Sequence, residues 1–177
     1  MSATVLLFER MEYHDVTIEA VARASGVSKS TIYRHWSSRQ RLVLDAFAYK
    51  TDTMTRIAPT GDAVRDLRTY LGKLAFCLDF GGAASTVAGL IAEAVGDEDF
   101  AALFREGLIG HRRQTFEGIL RGGQQRGQIR RDLDVETTID AVYGALHHRL
   151  LVTRRPIDAL FVGALVDLVV GGLTTAP

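Results

Sequence analysis

Within residues 17–42, TIEAVARASGVSKSTIYRHWSSRQRL, two short stretches of helical spacing are joined at a single glycine. Thr17 has the position of a helix N-cap, because its hydroxyl can take an orphan backbone N–H ahead of Glu19 and Ala20. Ile18, Val21 and Ala22 then share one face of a helix over 18–25. Gly26 supplies the left-handed residue that ends it. Ser28 restarts a helix as its own N-cap, and Ile32 and Trp36 return to the same apolar side. A small residue where two helices cross (Ala22), a glycine at the turn (Gly26) and an apolar residue locking the second helix inward (Ile32) are what a helix-turn-helix requires.

The charge pattern adds a chemical reading. Over the whole chain 21 basic and 21 acidic residues cancel, so a nucleic-acid signature has to be local. Between Glu19 and Asp45 there is no acidic residue, whereas Arg23, Lys29, Arg34, Arg39 and Arg41 are basic. Phosphates attract such a face, and each contact releases condensed counterions. Ser28, Ser30, Thr31 and Tyr33 add neutral donors suited to phosphates or base edges. The plain alternative is a solvated basic face on a helical bundle.

The run GVSKSTIYRHWSSRQRLV resembles the recognition-helix signature of the TetR family: glycine, Val-Ser, Thr-hydrophobic-Tyr, two variable residues, an aromatic, and a basic residue before leucine. Gly26, Val27, Ser28, Thr31, Ile32, Tyr33, Trp36, Arg39 and Leu42 fill those places, and the resemblance extends over about residues 4–47. It implies an all-α protein with an N-terminal three-helix DNA-binding domain (1–47). Effector-binding and dimerisation functions are then expected in a helical bundle over 48–177. It further implies that Thr17 caps the second helix and touches phosphate, and that Lys29, Ser30, Thr31 and Arg34 face the groove. Lys29 and Arg34 are the candidates for a guanine contact, Tyr33 and Arg39 hold the backbone with Ser28 nearby, and His35 joins either set. Trp36 is expected in the core. Three departures stand out. Glu12 precedes Tyr13 where the family usually has glycine, Arg39 replaces its usual lysine, and the first helix begins without a basic arm, from which either lower DNA affinity or a misplaced start codon is expected.

Beyond residue 47 the sequence resembles the family only in length and helical pattern. Pro59, Thr60 and Gly61 form the clearest break, and helical spacing predicts elements at 62–80, 84–96, 98–125, 134–152 and 157–171. Val135, Ile139, Val142, Leu146 and Leu150 form a core-facing stripe on 134–152. Beside it Ala141, Gly144, Ala145 and His148 are small enough on average to admit another helix. The 157–171 helix is apolar nearly all round, and Leu160, Phe161, Leu165 and Leu168 are expected against a partner subunit. A two-fold homodimer would also match a palindromic operator. An unidentified small-molecule effector is expected between 62–80, 98–125 and 134–152, with Phe76, Phe80, Glu93, His111, Phe116, Tyr143 and His147 as candidate lining. Ordinary core is the plain alternative for each. Glu93, between two alanines, is the suggestive polar residue.

Other classes find little support. Cys77 is the only cysteine, so neither an internal disulfide nor a CxxC metal site arises. His147 and His148 diverge by about 100° on a helix and cannot chelate one ion. No nucleophile elbow, P-loop, dinucleotide turn or HExxH occurs, so no catalytic residue, metal or cofactor is expected. The apolar opening Val5–Phe8 lacks a preceding base and is followed by Glu9, a poor signal peptide. The 157–173 segment contains Asp158 and Asp167 and reads as a buried helix, not a membrane span, so a cytoplasmic protein is expected. The competing reading to a ligand-responsive regulator, expected to be a repressor, is a dimeric helical binding module that has lost DNA binding.

Overall fold

The computed structural model describes residues 1–173, and the side chains of all these except His111, Gly172 and Leu173. Among the described residues ten α-helices follow in order: α1 Ser2–Phe8, α2 Ile18–Ser25, α3 Lys29–His35, α4 Arg39–Thr55, α5 Ala63–Leu78, α6 Ala83–Gly96, α7 Glu98–Phe104, α8 His111–Gln125, α9 Val135–His147 and α10 Ala159–Leu173. A 3₁₀ turn occupies Tyr13–Asp15, and wide π turns occupy Arg105–Gly110 and His148–Thr153. No strand occurs among the described residues. None of the helices described is both long and apolar enough to cross a membrane.

By packing, the chain forms two compact units. The first combines Met1–Asp52 with Phe80–Gly110; the second combines Thr53–Asp79 with the chain from His111 onward. The first unit is built on Phe8, Val16, Ile18, Ile32, Leu42 and Phe47, all buried. The rings of Phe8 and Phe47 meet edge-on at 5.7 Å, a favoured aromatic geometry. Helix α6 packs in this unit with Gly82 just before it and Gly89 within it both against the N-terminal segment. A Cβ on Gly82 would lie 2.1 Å from the Phe8 carbonyl oxygen, and one on Gly89 would lie 2.2 Å from Tyr13 Cδ1. The buried Lys50 ammonium ties the unit further, with Glu9 at 2.8 Å and the Phe80 ring centroid at 3.7 Å.

The second unit packs α5 against α8 and α10, and α8 against α9. Leu67, Leu71, Leu74, Phe116, Leu120 and Ile139 form its centre. Asp62 starts α5 by accepting from Val64 and Arg65 N–H at 3.0 Å each, and Asp134 starts α9 by accepting from Thr137 N–H at 2.7 Å. These acceptors satisfy orphan donors of the first turn and favour the helix dipole.

Two helices expected to run unbroken do not. The predicted 98–125 helix widens at Arg105–Gly110, where Gly107 and Gly110 weaken the α-helical ladder. A Cβ on Gly110 would approach the Arg105 carbonyl oxygen to 3.2 Å, so the small residue accommodates the wide turn. The predicted 134–152 helix leaves α geometry after His147 and closes at Arg154, which takes a left-handed φ of 50° without being glycine.

Candidate nucleic-acid interface

Each part of the helix-turn-helix is held by a local interaction. Thr17 Oγ1 accepts from Ala20 N–H at 3.1 Å, capping α2. Gly26 takes φ 71°, and its N–H donates to Ala22 O at 3.0 Å. Ser28 Oγ accepts from Thr31 N–H at 3.2 Å, capping α3. Ile32 is buried at 3% exposure, which orients α3 about its axis. Lys29, Ser30, Tyr33, Arg34 and His35 are consequently exposed, Thr31 is half-buried, and Tyr33 leaves 53% of its surface open. Ser28, Ser30 and Thr31 share hydroxyl hydrogen bonds of 2.9 and 3.0 Å from Ser28. Lys29 Nζ lies 2.5 Å from Glu19 Oε1, and this hydrogen bond lowers the Glu19 carboxyl below its ordinary value.

Trp36 is half-buried, and its indole N–H donates to Asp45 at 3.1 Å. Arg41, on the same helix, binds the other oxygen of Asp45 at 2.9 Å. Ser38 Oγ accepts from Arg41 N–H at 3.1 Å and starts α4. The link between recognition helix and α4 is therefore short and tied at both ends.

Arg39 departs from the expected outward direction. One guanidinium nitrogen donates to Tyr13 O at 2.8 Å, the carbon stands 4.3 Å above the Tyr13 ring, and the other nitrogen lies 3.4 Å from Glu93. Glu93 also faces Tyr13 Oη and Gln40 Nε2, each at 3.4 Å. Tyr13 N–H donates to Ser85 Oγ at 2.8 Å. Burial pushes the Tyr13 hydroxyl up to about 12, with Glu93 adding to the rise and Arg39 opposing it. The phenol therefore stays protonated and donates to the carboxylate.

Glu93 and Phe80, expected with effector residues, belong instead to the first unit. Phe80 packs on Phe8 at 5.8 Å between ring centroids and beneath Lys50. The reason in each case is the packing of α6 and the turn that leads into it with the N-terminal helices, which helical spacing alone does not reveal. Phe76, another expected lining residue, stands 71% exposed on α5. The side chain of His111 lies outside the described residues.

The remaining candidates converge in the second unit. Phe116 stacks on Tyr70 at 5.9 Å and meets Tyr143 edge-on at 6.1 Å. The Tyr70 and Tyr143 hydroxyls are 2.7 Å apart, and Tyr70 donates to Arg112 O at 3.3 Å. Burial raises both phenols and lowers the Arg112 guanidinium. His147 is lowered by burial and then by the charge of Arg112. Tyr70 and Arg112 were not among the sequence candidates; their only signal was polar residues interrupting apolar faces.

On the expected partner face, Leu160 and Leu168 are 84% and 76% exposed, and Ala141, Gly144 and His148 are exposed beside them. Ala145 and Phe161 are half-buried. Leu165 corrects the expectation: it is buried with Val162 and Val166 in the unit's own core, because it lies on the inner side of α10. A groove of about 440 Å³ runs between α9 and α10, lined by Leu133, Ala141, Ala145, Leu165 and Leu168 among others.

Residues 1–46 match the family described as bacterial regulatory proteins, tetR family, and residues 57–169 match the tetracyclin repressor-like C-terminal domain. The chain belongs to the TetR family of transcriptional regulators. It is 32% identical over 170 residues to the uncharacterized HTH-type transcriptional regulator YdeS of Bacillus subtilis (strain 168), covering 94% of this chain and 83% of that protein. The crystal structure of the TetR family regulator SCO0332 superposes with a TM-score of 0.81 at 34% identity, covering 99% of this chain and 95% of the other. The regulator FadR of Bacillus subtilis, solved in complex with stearoyl-CoA, shares the fold with a TM-score of 0.67 at 19% identity, covering 97% and 96% of the two chains.

Proposed function

We propose that this TetR-family regulator is a repressor that binds a palindromic operator as a homodimer and is released by a small-molecule effector. The observation carrying this reading is the α3 surface: with Ile32 buried, Lys29, Ser30, Tyr33, Arg34 and His35 are left open on one short helix. That combination offers cationic and neutral donors to a major groove. Lys29 and Arg34 read bases with Ser30 and Thr31 facing the groove, while Thr17, Ser28 and Tyr33 hold phosphates. Lys29 leaves Glu19 to do so, at small cost because exposed ion pairs contribute little.

The exposed leucines of α10 and the small residues of α9 support the homodimer, since apolar surface of this kind is covered on association. Residues 1–47 supply DNA contacts, and 48–177 supply effector and dimer functions. The effector binds in the second unit beside Phe116, Tyr143 and His147. FadR, with its bound acyl-CoA, supports ligand control in this fold without identifying the ligand here. An effector preferring a different separation of the two recognition helices from about 34 Å, one turn of B-DNA, would release the operator.

Fluorescence anisotropy with DNA from upstream of the chain's own gene tests the reading. Specific binding should exceed that to scrambled DNA by about a thousandfold, and Lys29→Ala with Arg34→Ala should abolish the preference. A reporter driven by that DNA should rise when the gene is deleted. A chain that binds no tested duplex, even at low salt, would instead be the dimeric helical binding module that has lost DNA binding.

A further inference from the structure

We infer that Glu93 is a positioning residue for DNA recognition, acting through Arg39 and Tyr13, and that Arg39 serves the operator from this joint instead of contacting phosphate. The inference rests on the proposed operator binding and goes beyond it, because Glu93 lies on α6 and belongs to no DNA-binding segment.

Arg39 is the fourth of five bases in the acid-free stretch and stands where the family's phosphate-binding lysine is expected. Its side chain is only 22% exposed, and its guanidinium is taken up by the Tyr13 carbonyl, the Tyr13 ring and Glu93. A planar fork suits this triple role; a lysine ammonium cannot stack and donate in two directions in the same way.

Among the described residues the Glu93 carboxylate, 31% exposed, has three partners, all from the N-terminal segment and the start of α4: Tyr13 Oη, Arg39 and Gln40, each at 3.4 Å. Each contact is long, so the carboxylate acts chiefly as a shared negative charge among a cation, a phenol and an amide. Beside it, Tyr13 is pinned to the same helix by its bond to Ser85 and by the close approach of its ring to Gly89.

The joint can reach DNA because Arg39 is the first residue of α4, and α3 ends at His35. The three residues between them are held by the Trp36–Asp45 and Ser38–Arg41 hydrogen bonds. A shift of Glu93 therefore moves the start of α4, and with it the angle of the recognition helix. In a dimer, such a tilt alters both half-site contacts at once and spoils the match to a palindrome. Contacts with non-specific DNA depend on total charge and tolerate the tilt.

The full chain, with Glu93→Gln, Arg39→Lys, Arg39→Met and the Glu93→Gln/Arg39→Lys double variant, tests this. The probes are a palindrome recovered by the wild type from a random-sequence duplex pool, and a scrambled duplex. Glu93→Gln and Arg39→Lys should each weaken palindrome binding about tenfold, and the double variant no further, as expected for one coupled unit. Binding to the scrambled duplex should stay at the wild-type value for the charge-conserving Arg39→Lys, and its salt slope should stay at the wild-type value for every variant, since none removes a phosphate contact. The inference is overturned if Arg39→Lys keeps wild-type palindrome affinity while Arg39→Met lowers the salt slope by about one, the signature of a phosphate contact. It is equally overturned if Glu93→Gln binds as the wild type does. Circular dichroism melts separate both cases from loss of folding. If the pool yields no palindrome, the operator reading fails, and hydrogen exchange decides the joint. Faster exchange of the Leu42 and Val43 amides in Glu93→Gln supports it, and unchanged exchange refutes it.

Discussion

Two buried tyrosine sites sit in this chain, one in each packing unit, and they are built on different chemistry. Around Tyr13 the partners are ions: Arg39 and Glu93, both partly exposed, with Gln40 and Ser85 beside them. Around Tyr70 and Tyr143 the contacts are a neutral hydroxyl pair and the Phe116 ring, with the buried Arg112 close by. Long ionic contacts near solvent are weak one by one and can be redistributed. A buried aromatic cluster loses dispersion contacts as soon as one ring is removed. The first site is suited to transmitting position, and the second to holding a core or enclosing an effector.

Phe116→Ala should have the largest effect of the changes that separate these sites. Its ring is fully buried between two tyrosines, so the cavity should cost about 3–5 kcal/mol in a urea titration. A loss near zero would mean that the cluster is loosely packed.

Next comes Gly89→Ala, where the new methyl group would overlap the Tyr13 ring. An overpacking cost of about 1–3 kcal/mol is expected, together with weaker palindrome binding. Destabilisation without any change in binding would disconnect Tyr13 from recognition.

Tyr143→Phe should cost about 1 kcal/mol, since it leaves the Tyr70 hydroxyl one partner short. Tyr70→Phe/Tyr143→Phe should cost less than the sum of the single changes, because both hydroxyls are then gone. Additive losses in thermal melts would show that the pair is not a unit.

The smallest effects should lie at opposite ends of the pH scale. His147 has a folded value below its ordinary 6.5, so the unfolded chain binds the proton more tightly. Its contribution is present above about pH 6.5 and is lost as pH falls toward the folded value. Tyr13 runs the other way: with its value raised to about 12, its contribution is present below about pH 10 and is lost as pH rises toward 12. Denaturation midpoints against pH should lose the acid slope in His147→Gln and the alkaline slope in Tyr13→Phe. If both slopes survive, other groups produce them.

The helix-turn-helix was legible in the sequence because its determinants are local. Thr17, Gly26, Ser28 and Ile32 act within a few residues of themselves, through caps, a left-handed turn and helical spacing. Most of the core stripe was legible for the same reason: Val135, Ile139, Val142 and Leu146 are buried, whereas Leu150, in the wide turn, is only half-buried. The wide turns were hidden, since glycines at 107 and 110 and a left-handed Arg154 are also compatible with an ordinary helix and loop. The all-α fold class and the order of its helices were thus determined by the sequence itself, since spacing and capping are properties of neighbouring residues. Tertiary structure alone decided where Arg39 points and what Glu93 serves. Those residues lie 54 positions apart, and helical spacing within either segment carries no information about a meeting set by the packing of α6 with the N-terminal helices.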